Sequence, residues 1–363
     1  MNLGTWHALK SRYAAPKIAY LTITIFIFDL FLFFTLFIVR EKVSILFFWV
    51  LLIIPMIHFY LILHEASHKT LSERHRVNSL VGHICGWLIL MPYLARRRSH
   101  LLHHYWTGHP VRDPANDRMI RRFSVITNDE INRLEFIWKY WLPLIVINDR
   151  IGLWRDPFQL ARNQNPPAFV AKEIRIARIY GILYLLTFFA LLILNQLTLF
   201  TVYYFPSFLL LLLVEELVNL PHHAETPLLK ETDTALHYSQ QASVTHSCSF
   251  IPVWSNFVLL YFNYHIAHHL FPWVPWYSLK KLDSELKSSA SANDSMDTVK
   301  SELAWSILNR RRPLMTIMGH YFDRIKRSPP DRPTMSSVIL SQSSNVRKDH
   351  NASGGLTHSD LNP

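Results

Sequence analysis

The run IYGILYLLTFFALLILNQLTLFTVYYFPSFLLLLLV, Ile179 to Val214, holds 36 residues and no charged side chain. As a straight helix it would extend about 54 Å, nearly twice the roughly 30 Å of bilayer hydrocarbon. It is therefore expected to fold back as a hairpin, with the polar pair Asn195-Gln196 at the turn. The second half then returns Glu215, Glu216 and Asn219 to the side from which the first half departed. Working outward, Ile18 to Val39 gives 22 residues broken only by Asp29, and Val43 to Leu63 a second apolar run. The two are joined by Arg40-Glu41-Lys42, and Pro55 is expected to kink the second. The first run is too long for a signal-peptide core and no small-residue cleavage site follows, so it reads as an anchor. Four crossings place both termini on one side, which gives an all-α integral membrane fold.

Composition agrees. Of 363 residues, 50% are hydrophobic, 13% aromatic and 17% charged, which argues against soluble, collagen-like and wholly disordered classes. Cys85 and Cys248 lie far apart in no C-x-x-C pair, so neither a disulfide framework nor a thiolate metal site is supported. The net charge of +11 is a topology signal: Lys and Arg divide 35 to 2 in favour of the side holding the termini, which marks that side as cytoplasmic. No nucleic-acid motif accompanies the charge, and no nucleic-acid partner is expected. Ser79 to Ala95 and Phe136 to Ile147 are weaker apolar stretches, one short and glycine-containing, the other holding Lys139 and Pro143. Both read as interfacial or re-entrant.

The expected organisation is a cytoplasmic segment over 1–17, a four-helix membrane domain with a cytosolic cap over 18–283, a helical extension over 284–327 and a disordered tail over 328–363. One amphipathic helix is expected around Val299 to Phe322. There is no internal repeat.

Twenty histidines are the anomaly of this composition. They concentrate in His64-x-x-x-His68, His100-x-x-His103-His104 and His265-x-x-His268-His269, with Asn219-Leu-Pro-His222-His223 as a fourth element. Spacings of three and four put side chains on one helical face, so each cluster can aim two or three imidazoles at one point. The remaining ten, such as His58, His109 and His246, read as surface or packing residues. Neutral imidazoles suit Fe, Cu, Zn or Ni, and eight or nine are too many for one ion, so two ions are expected. A ferritin-like bundle needs two Glu-x-x-His pairs, and the clusters offer only Glu65 with His68. Glu65, Asp113, Asp117 and Glu225 flank the clusters as acceptors that can orient ligand rings.

At these residues the chain resembles the membrane fatty acid desaturase family, whose hallmark is three histidine boxes, HxxxH, HxxHH and HxxHH, on four-crossing helical proteins. The likeness covers about Ile18 to Leu279. Asn263-Tyr-His-Ile-Ala-His-His-Leu-Phe-Pro is similar to the third box, and His103-His104 followed by Asp113-Pro114 to the second. The resemblance implies that His64, His68, His100, His103, His104, His223, His265, His268 and His269 bind two iron ions, with Asn219 acting through water and His222 the rival of His223. It implies O2 as co-substrate and removal of two hydrogens from an acyl chain carried on a lipid or a thioester. It further implies electrons from an external ferredoxin or cytochrome. His265 stands where front-end members commonly carry Gln, and no haem domain is fused, so a front-end enzyme is not implied. A hydroxylase or ketolase of the same superfamily shares these motifs; a metal carrier or a non-catalytic membrane scaffold is the reading from another class. Trp87, Tyr93, Trp106 and Tyr261 are the aromatic residues expected to wall a substrate tunnel.

Overall fold

The computed structural model of the chain describes residues 3–13, 15–123, 127–140, 142–163, 165–224, 226–230, 232–248, 258–289, 298–299 and 314. Glu225, the tail from Ser328 and, apart from Val299 and Leu314, the helix expected over Val299 to Phe322 lie outside the described residues.

Among the described residues, four helical stretches are long and apolar enough to cross a membrane: Tyr20–Lys42, Ile45–Ser67, Ala168–Ile193 and Leu199–His223. The first comprises α2 (Tyr20–Val39), behind the short α1 (Leu3–Arg12), and closes with a single 3-10 turn, Arg40–Lys42. The second, α3 (Ile45–Ser67), runs through Pro55 as one helix of 23 residues. It is the central element: every residue from Pro55 to Ser67 is buried, against α2 and later helices. By contrast, Phe31 and Ile38 of α2 are 70% and 78% exposed. So large an apolar surface is stable only against lipid.

The long run quoted above does fold back. Its first arm belongs to α9 (Ala168–Ile193); the second begins as a π-helical stretch, Leu199–Tyr204, and continues as α10 (Phe205–His223). Asn195 turns the chain with φ of 53°, a left-handed conformation that Asn tolerates better than most residues. Pro221 does not break α10, which keeps Asn219 and His223 on one helix.

Between the two membrane pairs lie α4 (His75–Leu88), α5 (Tyr93–Trp106), α6 (Pro114–Phe123), α7 (Asn128–Lys139) and α8 (Leu144–Leu160). The stretch Ser79 to Ala95 contains the corner between α4 and α5, which cross at 108°. Met91 N–H donates to the Gly86 carbonyl across this corner at 2.7 Å. Phe136 to Ile147 is likewise split, because α7 ends at Lys139 and Pro143 precedes α8. After α10 come a 3-10 helix (Tyr238–Ser243), the short α11 (His265–Leu270) and α12 (Trp276–Ser289). Ser247–Cys248 pairs in parallel with Thr298–Val299, a two-residue strand contact. The N-terminal α1 covers α11, with Trp6 Nε1–H donating to the Leu270 carbonyl at 3.0 Å.

Buried ion pairs brace the middle helices. Arg98 of α5 meets Glu173 of α9 at 2.8 Å. Arg118 of α6 bridges Asp149 and, at 2.9 Å, Asp156 of α8, and also donates to Ser99 Oγ. Arg150 of α8 pairs with Glu215 of α10. Removing one partner of such a pair strands a buried charge, at about 3–5 kcal/mol. Arg118→Leu should therefore lower unfolding stability in detergent by that amount, and adding Asp156→Leu should recover part of it. Equal stability of Arg118→Leu and the parent, by thermal unfolding, would remove this brace from the account.

Candidate metal centre

Four separate segments deliver imidazoles to one place. His64 is in the last turn of α3 and His68 is its C-cap; His100, His103 and His104 share α5; His265, His268 and His269 occupy α11. His223 closes α10. The short α11 has no length to be stable alone, and it is held by packing on the 3-10 helix and α12 and by the Trp6 bond.

The nitrogens fall into two groups. In the first, ring nitrogens of His64, His68, His100, His104 and His268 all lie within 4.8 Å of one another. In the second, His103, His223 and His269 do the same, and His265 Nε2 stands 3.0 Å from the Nε2 atoms of both His223 and His269. In the first group the Nε2 atoms form a chain: His68 to His100 at 2.8 Å, His100 to His104 at 3.1 Å, His104 to His268 at 3.0 Å. Each such nitrogen carries either one proton or one lone pair, so it makes one N–H···N bond. His100 and His104 face two nitrogens each, and at least one contact is left repulsive if hydrogen bonds alone hold the group. His64 Nε2 is buried with no hydrogen-bond partner. A cation answers both difficulties, since two nitrogens about 2.1 Å from one ion and at right angles stand about 3 Å apart. The residues present thus fit a pair of imidazole-bound transition-metal ions.

Electrostatics point the same way. Burial pushes the imidazolium pKa of His68, His100, His104, His265 and His269 well below the usual 6.5, and that of His268 to about 3, neighbouring imidazoles adding to the effect. Neutral rings are ligands; imidazolium rings are not. Asp113 accepts from His103 Nδ1–H at 2.9 Å, which leaves Nε2 free to bind.

Other expected residues are placed differently. His222 belongs to neither group: it stacks on His265 with centroids 4.2 Å apart, and both of its ring nitrogens are buried without partners. Asn219 is also outside the groups. Its Oδ1 accepts from Tyr60 O–H at 3.1 Å and its Nδ2 donates to the Glu215 carbonyl. Glu65 orients no ligand ring, being 3.9 Å from His64 Nδ1; it accepts from Thr70 Oγ1 and Trp276 N–H instead. A cavity of about 170 Å³ opens onto His100, His103, His223 and His265, with Asp113, Arg96, Asn219 and apolar Met91, Ile145, Val146, Leu220 and Phe262 in its wall. None of Trp87, Tyr93, Trp106 and Tyr261 borders it. Tyr93, for example, is spent on the core, its O–H donating to the Ala66 carbonyl. Tyr60, Arg96, Thr107 and Gln241 enter the site without any spacing signal in the sequence.

Two largely buried groups of histidines able to hold metal ions, gathered beside the ends of α3 and α10, mark the class as a helical membrane protein with a candidate metal centre. The profile of the Fatty acid desaturase family matches residues 43–298, and the chain belongs to that family. It is 25% identical over 239 residues to an endoplasmic-reticulum omega-3 fatty acid desaturase of Vigna radiata var. radiata, covering 62% of this chain and 60% of that one. It is 24% identical over 271 residues to a Delta(12) fatty acid desaturase of Mortierella alpina, covering 66% of each. An sn-1 acyl-lipid omega-3 desaturase (ferredoxin) of Synechocystis is 24% identical over 240 residues, 62% of each. The chain thus spans between about half and two thirds of the length of the curated relatives it matches.

Two outcomes are expected. Protein purified anaerobically should contain two transition-metal ions per chain by elemental analysis, and His268→Ala should lose metal while staying in the membrane, since lipid holds the helices; a single stoichiometric zinc in the parent would overturn this. With metal removed by chelation, the folded chain binds fewer protons than the unfolded one between about pH 3 and 6.5, the window set by His268. Stability of the metal-free protein should then be highest above pH 6.5 and fall as pH is lowered through that window, read as unfolding temperature against pH. A flat profile would contradict the buried neutral rings.

Proposed function

We propose that the protein is an O2-dependent desaturase that inserts a double bond into the acyl chain of a fatty acid carried on a lipid or a thioester. The observation that carries this reading is the pair of imidazole groups with Nε2 atoms about 3 Å apart, in a chain of the desaturase family. Iron ions held by His64, His68, His100, His104 and His268 and by His103, His223, His265 and His269 would activate O2 and, with two external electrons and two protons, take two hydrogens from adjacent methylenes to leave an alkene and two waters.

The chain's own residues supply position and shelter. A methylene has no polar handle, so it is held at the site only by shape and by exclusion of water. Met91, Ile145, Val146, Leu220 and Phe262 form the apolar part of the cavity wall that serves this purpose. Asn219, held by Tyr60 and the Glu215 carbonyl, lines the same cavity as His223 and would act there through water. Asp113 keeps the His103 proton on Nδ1. Electrons come from an external donor of the ferredoxin or cytochrome type, as the names of the Synechocystis relative and of a cytochrome b5-dependent Arabidopsis thaliana relative suggest. The 35 to 2 division of Lys and Arg supports a cytoplasmic placement of the termini, the histidines and the cap.

The test is expression in a host that lacks polyunsaturated lipids, with double bonds located by mass spectrometry of its fatty acids. A new alkene in the parent and its absence with His268→Ala is the expected result. Hydroxylated or oxo products without a new alkene would replace this reading by a hydroxylase or ketolase of the same family.

A further inference from the structure

We infer that Gln241 is a positioning residue for the second metal group: it fixes the tautomer of His269, and so keeps His269 Nε2 as a bare ligand atom. This rests on the two-metal reading above. The side chain is 1% exposed, in the 3-10 helix Tyr238–Ser243 that packs on α11. Its assignment follows from a chain of forced choices. Gln241 Nε2 lies 2.6 Å from the His104 carbonyl. A carbonyl only accepts, so the amide nitrogen must face it and the amide oxygen must face the other way. That oxygen lies 3.0 Å from His269 Nδ1. Because Oε1 only accepts, Nδ1 must carry the ring proton, and Nε2 is left with its lone pair toward His265, 3.0 Å away.

Thr107 reinforces the choice. Its hydroxyl proton is committed to the His103 carbonyl at 2.7 Å, so toward His269 Nδ1, at 3.3 Å, its oxygen can only accept. The second group therefore has two rings locked from outside, His103 by the Asp113 carboxylate and His269 by a neutral amide. One ring in each group, His104 of the first and His265 of the second, has its Nδ1 buried with no hydrogen-bond partner. Gln241 acts on a ring of only one of the groups. It also links them, because the carbonyl that orients it belongs to His104.

The full-length protein, solubilised in detergent and loaded with iron, is compared as parent, Gln241→Leu and Gln241→Glu. The readouts are metal per chain, the rate of metal release to a chelator and the Mössbauer spectrum. Gln241→Leu removes the acceptor, and release of one of the two irons should quicken by about 10–100-fold, the usual effect of losing such a partner. One of the two Mössbauer components should change and the other should not. Gln241→Glu retains an acceptor for Nδ1–H but cannot, as a carboxylate, donate to the His104 carbonyl. Slow release in that variant separates ring orientation from simple loss of the carbonyl bond. Gln241→Met, nearly isosteric and a weak acceptor, is read in parallel in case Leu blocks membrane insertion. Two irons in every variant with unchanged release would overturn the role of Gln241 alone, as would equal loss of both irons in Leu, Met and Glu. Fewer than two irons in the parent would overturn the two-metal reading, and this inference with it.

Discussion

Mutual repulsion of neutral imidazole lone pairs, buried with their nitrogens about 3 Å apart, is the constraint on which the rest of the structure depends. Nothing in α3, α5 or α11 favours that contact by itself. Each helix end must be pushed there by packing elsewhere, and a cation shared by the nitrogens would keep it there. This explains why α3 is so deeply buried in the half that ends in His64 and His68 while its first turns face lipid. It also explains the corner between α4 and α5. Had the chain run straight through Ser79 to Ala95, His100, His103 and His104 would be carried away from His68, whereas the 108° turn brings α5 back across the end of α3.

Buried charge around the centre has a related purpose. An ion pair away from water gains little net stability, because desolvation offsets most of the attraction. What it does supply is direction. Arg118, with Asp149, Asp156 and Ser99 all bound to one guanidinium, fixes α6 against α5 and α8; Arg150 fixes α8 against α10. Glu216, a residue further along α10, accepts from the free Ile145 N–H at the start of α8 at 2.9 Å, the end of a helix where a carboxylate is most favourable. The helices that carry His100 and His223 are thus registered by contacts that a slide of one residue would break. Apolar packing alone tolerates such slides far better.

Much of this was legible in the sequence because it follows from periodicity and transfer energy. The hairpin, its turn at Asn195, and the three histidine clusters on helical faces needed nothing beyond spacing and bilayer thickness. Asp113 was visible as an acid near the second cluster. Glu65 was equally visible and has another task, since adjacency in sequence does not say which way a buried carboxylate points: Thr70 and the Trp276 N–H claim it. The four aromatic residues expected to wall a tunnel do not border the cavity beside the histidines, for a similar reason. Large rings near the clusters were as useful to the core as to a substrate, and Tyr93 and Trp87 pack there, Trp87 stacking on Tyr184. Gln241 gave no signal at all. It is 28 residues from His269 and 137 from His104 in the chain, and only the fold makes them neighbours.

On the desaturase reading proposed above, a set of histidines gathered beside the ends of α3 and α10 would reconcile opposite demands. An acyl chain and O2 partition into hydrocarbon, whereas electrons and protons arrive from water. A centre in mid-bilayer would suit the first pair and would leave many polar rings in lipid at high cost; a centre in a separate soluble domain would suit the second pair and would have to extract the chain from the membrane. Helix ends meet both. The cavity beside the two groups carries the same division in its walls, with Leu220, Val146 and Phe262 among its apolar residues and Arg96, Asp113 and Asn219 among its polar ones. Because α10 contributes Asn219, Leu220 and His223 within two turns, the passage from apolar wall to histidine ring is made along a single helix, and on the desaturase reading the side chains one turn before His223 would set the depth to which an acyl chain enters.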